Sequence, residues 1–462
     1  MPENLEVALP RSDSEAPLRF APRLLRSFPK LKDFEWALNS PAAIFWTAFL
    51  LRVIVMRMVR SYHIAPSLDH LSFGYEMGRV ARALVLGQGF SSPYGIATGP
   101  TAWYVPVYPF MLAGIFKVFG VFSKWSLIVT LVINCLCSAL TSLTIFGIAK
   151  HTVGRRTALW SAWVWALFPY NWQWALNWIW DTSISAFLLS LAFYWTLRLR
   201  GSSSWREFAV FGLIWGLIAN TNPTLLVLLP VAVLWLFFYQ RTLPQRNRDL
   251  LICIALFLVT ALPWCFRNYS ALGYFGLRDN FGEELYLGNY YHGQGYNLFW
   301  NHPLWNQREL ESYRKEGEIH YIQKRKKMAE EFIASNPGEF ALNTLRRIVY
   351  FWSGSPDEDR VIPGEIRSRM SFLFTTAVLA FWGCLRMRRM HVPGWTLFWF
   401  LLLLYPAVFY VTHTNPRYRH PIEPEMTILI VYLFLSYAGE APSFLRPRKR
   451  KQELPAYAGR EL

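Results

Sequence analysis

Long apolar runs separated by short polar clusters divide the chain between residues 41 and 439. The runs lie at roughly 41–58, 104–120, 125–149, 157–173, 183–199, 207–220, 223–240, 249–267, 368–385, 393–411 and 425–439. A bilayer core asks about 20 apolar residues of a crossing helix, and most of these runs approach that length. The pattern predicts an all-α polytopic membrane protein. Five parts follow from it: a polar N-terminal segment 1–40, a helical module 41–267 with an external loop at 59–124, a polar segment 268–365, further spans at 366–439, and a basic tail 440–462.

Within the first loop, Phe73, Met77, Val80, Ala81 and Leu84 recur at spacings of three and four. That predicts an amphipathic helix in the plane of the interface, with Arg79 and Arg82 turned to water. In the segment 268–365, residues 276–297 are rich in Gly, Asn and Tyr and read as loop. Residues 311–352 read as two helices separated at Ser335–Phe340.

Basic residues sharpen the topology. Clusters sit at Lys150/Arg155/Arg156, Arg198/Arg200/Arg206, Arg241/Arg246/Arg248, Arg386/Arg388/Arg389 and in the tail. The loops between them, 171–182 and 220–223, carry no Lys or Arg, and 412–424 carries only Arg417 and Arg419. Such alternation places the basic clusters on the cytoplasmic face, and 268–365 outside. The run 104–120 is short, with Pro106 and Pro109 near its start and Lys117 near its end. It fits an interfacial helix better than a span, which leaves about ten spans and both termini cytoplasmic. No short apolar core with a cleavage site precedes residue 41, so the first helix is expected to be an uncleaved anchor.

Composition agrees and removes other classes. Only 17% of residues are charged and 53% are hydrophobic, with 22 Trp, 23 Tyr and 35 Phe. A soluble chain carries charge on about a quarter of its residues. The formal net charge of +17 resides largely in the topology clusters, which argues against nucleic acid as a partner. All five Cys lie in apolar runs, so no disulfide framework is expected in the external segment.

Candidate chemistry gathers on the external side. Asp69 stands just before the amphipathic helix, as its N-cap or as a general base. Glu76 follows seven residues later, near the same helical face, as a surface group or a substrate contact. Asp181 is the sole Asp, Glu, Lys, Arg or His between Arg156 and Arg198 and lies among several Trp, either capping the next helix or functional. Asn222 sits in a polar turn between two apolar runs, where the bland reading is a loop ahead of a helix-starting Pro. The loop 412–425 holds Arg417, Arg419 and His420. Arginine forks suit phosphate, either of a substrate or of lipid headgroups. No phosphate loop, dinucleotide turn or His-Glu-x-x-His motif occurs. Scarce ionisable groups in the spans weigh against the alternative, a transporter or flippase of lipid-linked or small polar solutes.

The segments LDHLSFGYEMGRVARALVLGQGF, GPTAWYVPVYPFMLAGIFKVFG, WIWDTSISAFLLSL, GLIWGLIANTNPTLLVLLP, RNYSALGYFGLRDNFGEELYLGN and NPRYRHPIEP together resemble bacterial membrane glycosyltransferases of the GT-C fold. They look most like the branch of the dolichyl-phosphate-mannose protein mannosyltransferases and the aminoarabinose transferase of lipid A. The resemblance implies a multi-pass inner-membrane enzyme whose sugar donor rides on a polyprenyl phosphate, with transfer on the outer face. By it, Asp69 activates or orients the acceptor, Asp181 shares the cavity, and Arg417 and Arg419 hold or surround the donor phosphate. The chain also departs from its relatives. Asp69 is followed by His70 where relatives often carry a second acid. Ala102, Trp103 and Tyr104 stand where one branch has a Glu associated with metal coordination. No cofactor is therefore assigned, and a divalent cation stays an option. The acceptor, whether lipid, glycan or protein, is not carried over.

Overall fold

In a computed structural model, residues 38–62, 73–202, 204–239, 245–290, 295, 298–355 and 363–439 are described. They are mostly helical. Among the described residues the β-structure amounts to one isolated bridge between Ser91 and Pro100. Pro41–Met58 (α1) is followed by Tyr75–Val85 (α2), Val107–Phe119 (α3), Lys124–Thr152 (α4), Arg155–Leu167 (α5) and the short Gln173–Asn177 (α6). Then come Thr182–Leu199 (α7), Trp205–Ala219 (α8), Leu229–Tyr239 (α9) and Arg246–Leu272 (α10). The segment that was expected outside contains Phe281–Asn289 (α11), Gln307–Glu316 (α12), Glu318–Ser335 (α13) and Pro337–Ser353 (α14). The chain closes with Pro363–Arg389 (α15), Trp395–Leu404 (α16), Ala407–Val411 (α17) and Glu423–Gly439 (α18).

Among the described residues, five helices are long and apolar enough to cross a membrane: α1, α4, α7, α10 and Arg369–Arg389 of α15. Other apolar runs fold as shorter pieces, and the interruptions have chemical causes. Helix α5 stops before Phe168–Pro169, because proline brings no N–H to continue the ladder. Helix α8 ends at Asn220, and the chain turns through Asn222 into a 3-10 segment, Pro223–Leu228, before α9. Pro406 separates α16 from α17. Irregular backbone at membrane depth persists only where protein buries it or a cavity borrows it. Two of these breaks line the cavity described below.

Helix α3 has 13 residues and reaches about 20 Å at 1.5 Å per residue, short of a core of about 30 Å. It packs instead on α2 through Phe73, Met77, Val80, Leu112 and Phe116. Arg82 on α2 is exposed, but Arg79 is buried, contrary to the expectation that both face water. Residues 90–105 fold back over that helix, bringing Phe90, Tyr94 and Trp103 into the same apolar cluster.

The remaining helices share a second core, from Ile44 and Ala48 in α1 to Ile428 and Leu429 in α18. A buried cation braces it. Arg52 donates from Nη1 to the carbonyls of Ala48 (2.9 Å) and Ala166 (3.2 Å), from Nη2 to Trp165 (3.1 Å), and from Nε to the Ser138 hydroxyl (3.0 Å). The carbonyl of Trp165 is the one that Pro169 cannot bond. The break in α5 and the arginine in α1 thus answer each other.

Helices α7 and α8 show how the bundle is polarised. Thr182 and Asn220 stand at one end; Arg198 and Arg206 stand at the other. The loops there meet near Gly394, where an added Cβ would lie 2.9 Å from Leu197 and 3.6 Å from Thr152. The basic clusters at Lys150–Arg156, Arg198–Arg206 and Arg386–Arg389 therefore share the end away from the cavity.

Candidate active site

At the other end, interhelical turns enclose a cavity of about 300 Å³. The loop before α3 supplies Tyr104; the turn before α7 supplies Trp180 and Asp181. The break after α8 adds Asn222, the turn before α11 adds Arg278 and Asn280, and the stretch after α17 adds His413, Arg417 and Tyr418. Sequence positions more than 300 apart thus meet in one polar pocket.

Asp181 occupies the N-cap position of α7, yet its side chain makes no capping bond. Its Oδ2 accepts the hydroxyl of Ser185 (3.1 Å), and Ser185 in turn accepts the Asn222 amide (3.3 Å). Asn222 meanwhile caps its own turn by accepting the Thr224 N–H (3.3 Å). Burial raises the Asp181 carboxyl above the usual range, and Arg278, Ser185 and Arg417 pull it back.

Arg417 and Arg419 share one 3-10 turn, Pro416–Ile422, and have opposite surroundings. Arg417 faces the cavity with its guanidinium 4.4 Å from the Trp180 ring and 5.1 Å from that of Tyr418. Its Nη2 reaches the Tyr418 hydroxyl at 3.4 Å, and its Nε has no hydrogen-bond partner. Arg419 points the other way. It donates to the carbonyls of Trp352 (3.0 Å) and Leu373 (2.7 Å) and to the Thr376 hydroxyl (2.5 Å), and pairs with Glu423 (3.5 Å). His420 also turns away, bonding Glu423 at 2.8 Å and stacking on Trp165. Arg419 and Glu423 belong to a separate slot of about 200 Å³, walled by Phe168, Phe372, Met426 and Ile430.

Glu76 stands behind the cavity wall. It accepts the Tyr104 hydroxyl (3.2 Å) and lies 3.8 Å from Nε2 of His302. His302 Nδ1 accepts the Leu304 N–H (3.1 Å), so the neutral ring presents Nε2–H to Glu76. Burial depresses the His302 pKa and keeps that ring neutral. Asp69 lies outside the described residues.

Of the sequence candidates, the cavity therefore unites Asp181, Asn222 and Arg417; Glu76 supports a wall residue, and Arg419 and His420 are engaged elsewhere. Four further polar residues belong to it. Arg278 donates from Nε to the Trp103 carbonyl (2.9 Å) and lies 3.8 Å from Glu284. Glu284 also accepts the Asn280 amide (2.5 Å) and faces His413 Nδ1 at 3.4 Å. Arg278, Asn280 and Glu284 lie within a stretch that reads as loop, in LRDNFGEEL. The adjacent acids there were the signal available. Among the described residues, no group of three or more His, Cys, Asp or Glu is arranged to hold a metal ion.

The wall from Tyr104 to Asn222, with α4, α7 and α8, falls within one stretch of recognisable sequence. Residues 100–265 match the dolichyl-phosphate-mannose-protein mannosyltransferase family. This mannosyltransferase-like stretch agrees with the resemblance carried by the motifs. It includes Asp181 and Asn222 and leaves Arg278, Glu284 and Arg417 beyond its end. No curated protein sequence matches the chain. Among solved structures, the chain is similar to ArnT from Cupriavidus metallidurans, a crystal structure bound to undecaprenyl phosphate. The identity is 12%, the match covers 84% of this chain and 78% of that one, and the TM-score is 0.37.

Proposed function

We propose that the protein is an integral membrane glycosyltransferase. It moves a sugar, hexose or pentose, from a polyprenyl-phosphate-linked donor to a lipid, glycan or protein acceptor on the outer face of the membrane. The observation that carries this reading is Arg417. It is a cation on a cavity wall with an unbonded Nε, flanked by Trp180 and Tyr418 and beside a second cation, Arg278. Arginine forks match phosphate oxygens in shape and charge. The match of residues 100–265 to the mannosyltransferase family supports the same chemistry.

In the proposed reaction the bond between the sugar C1 and the phosphate oxygen breaks, and a bond from C1 to the acceptor oxygen forms. Charge grows on the departing polyprenyl phosphate, and Arg417 and Arg278 stabilise it. The acceptor hydroxyl gives its proton to a carboxylate, which we assign to Asp69 of the outer loop. Asp181 orients reactants within the same cavity. Nucleotide chemistry is not needed, because phosphate is already the leaving group.

Mass spectrometry of lipid-linked sugars tests the proposal. A strain lacking the protein should accumulate a polyprenyl-phosphate sugar. The wild-type gene should clear it, and Asp69→Asn and Arg417→Ala should not. An unchanged lipid-linked pool in the deletion strain would refute the assignment.

A further inference from the structure

Glu284 is the most open of the described carboxylates in and around the cavity, with 27% of its side chain exposed; Asp181 is 8% exposed and Glu283 0%. One of its oxygens, Oε1, is occupied: the Asn280 amide donates to it at 2.5 Å, and Arg278 stands 3.8 Å away. The other, Oε2, faces His413 Nδ1 at 3.4 Å. Burial pushes the His413 pKa down, with Glu284 opposing the shift and Arg417 and Arg347 favouring it. At neutral pH the imidazole is therefore neutral, so the cation beside Glu284 is Arg278, on the Oε1 side, and Oε2 faces an uncharged ring.

The spacing of these two residues is fixed from behind. Arg347 of α14 donates from Nη2 to the Gly288 carbonyl and to Asn289 Oδ1 (2.9 Å) at the end of α11. From Nη1 it reaches the carbonyls of Tyr410 (3.3 Å) and Val411 (3.2 Å) at the end of α17. The Asn289 amide adds a bond to the Val411 carbonyl (2.9 Å). A Cβ on Gly288 would come within 1.9 Å of the Thr412 oxygen, so only glycine permits this approach. The helix carrying Glu284 and the strap carrying His413 are thus locked together one turn from the cavity. Rigid support of this kind is what a recognition group requires.

Resting on the donor reading above, we propose that Glu284 is the sugar-recognition residue of the cavity. Its carboxylate accepts hydroxyl hydrogens of the donor sugar, with Tyr418 beside it as an aromatic face. An ionised carboxylate only accepts hydrogen bonds, so the ligand must bring donors, and a sugar ring carries several. Tyr418 is itself held flat by stacking on Phe409 at 4.5 Å and 16°. The same charge repels a sugar that bears a carboxylate, because the repulsion would act in a partly desolvated pocket. The subsite therefore selects uncharged sugars over uronic acids.

Purified full-length protein would be titrated with undecaprenyl phosphate, mannosyl-phosphoryl-undecaprenol and glucuronosyl-phosphoryl-undecaprenol. The wild type should bind the neutral glycolipid about tenfold more tightly than the bare phosphate, the size expected of one charge-assisted hydrogen bond. It should bind the uronic acid form about tenfold more weakly than the neutral form. In Glu284→Gln the advantage of the neutral sugar should shrink to about twofold and the uronic acid penalty should fall. Binding of undecaprenyl phosphate should be retained and no weaker than in the wild type, which also reports that the variant is folded. Equal affinity of the wild type for all three ligands would overturn the subsite, as would a Gln variant with the wild-type ranking. Separately, failure of undecaprenyl phosphate to bind, or unchanged binding in Arg417→Ala, would overturn the donor reading itself.

Discussion

Two hollows flank the 3-10 turn Pro416–Ile422, and they differ in what their arginines have left to give. In the polar cavity, Arg417 lies among rings and makes a long hydrogen bond, 3.4 Å, from Nη2 to the Tyr418 hydroxyl. In the apolar slot behind it, Arg419 spends both Nη atoms on two carbonyls and a hydroxyl, and its Nε sets its charge 3.5 Å from Glu423. A guanidinium whose donors are spent on the fold holds helices together, and one with spare donors is available to an anion. Sequence proximity says nothing about which is which. The carbonyl partners of Arg419 come from α14 and α15, which the chain brings alongside the turn only in three dimensions.

Substitutions at the two positions should therefore fail in different ways. Arg417→Ala should lower turnover by about a hundredfold or more, as loss of a charge-stabilising donor does, with little change in melting temperature. Arg419→Ala should show the reverse order of effects. It leaves buried carbonyls and Glu423 without their cation and should cost about 3 kcal/mol of stability, read as a large drop in detergent melting temperature. If Arg419→Ala keeps its melting temperature, the division of labour between the two hollows is wrong. A smaller loss, about 2 kcal/mol, should follow Gly288→Ala, whose methyl group must displace the Thr412 backbone. Melting curves of that variant give the check.

The smallest effect expected is one of pH. Glu283, on the buried face of α11, has its carboxyl pushed up to about 8 by desolvation, against the pull of Arg325. An acid whose pKa is raised on folding binds more protons in the native state. Its contribution is intact below the unfolded value of about 4.3 and is lost as pH rises through 8. Glu283→Gln should remove this loss and gain at least about 1 kcal/mol at pH 9 relative to the parent, with little difference at pH 4. Parallel melting curves at the two pH values would show it, and equal pH slopes in both proteins would count against a buried, proton-binding Glu283.

Much of the helical frame could be read from the apolar runs. The borders of α1, α4, α7, α8 and α10 lie close to the positions that hydropathy alone assigns. The break at Asn336–Pro337 between α13 and α14 was signalled by its own proline. Helix α11 was hidden. Its Gly282 and Gly288 read as turn residues, yet both serve close packing: added Cβ atoms would come within 2.6 Å of the Ile322 oxygen and 1.9 Å of the Thr412 oxygen. A glycine placed for proximity looks the same in sequence as one placed for a turn. That confusion concealed Glu284 as well. Asp181 stood out because it was the lone acid in a long apolar neighbourhood. Its side chain bonds Ser185 and not the helix backbone, which removes the capping reading. Arg79 was misplaced because helical periodicity reports a face and not what later folds over it.

The brace made by Arg52 also bears on how the chain is assembled at the membrane. When α1 first inserts, its guanidinium has one backbone partner within reach on its own helix, the Ala48 carbonyl. Ser138, Trp165 and Ala166 are synthesised 86 to 114 residues later. Until then the first helix carries an incompletely compensated charge, a penalty of about 2.5–3.5 kcal/mol at the bilayer centre. Integration of α1 should thus be weak in nascent chains that stop before residue 138 and firm in those that extend past 166. Glycosylation-tag insertion assays on the two lengths would measure the difference, and equal insertion would mean that the arginine finds water until its partners arrive.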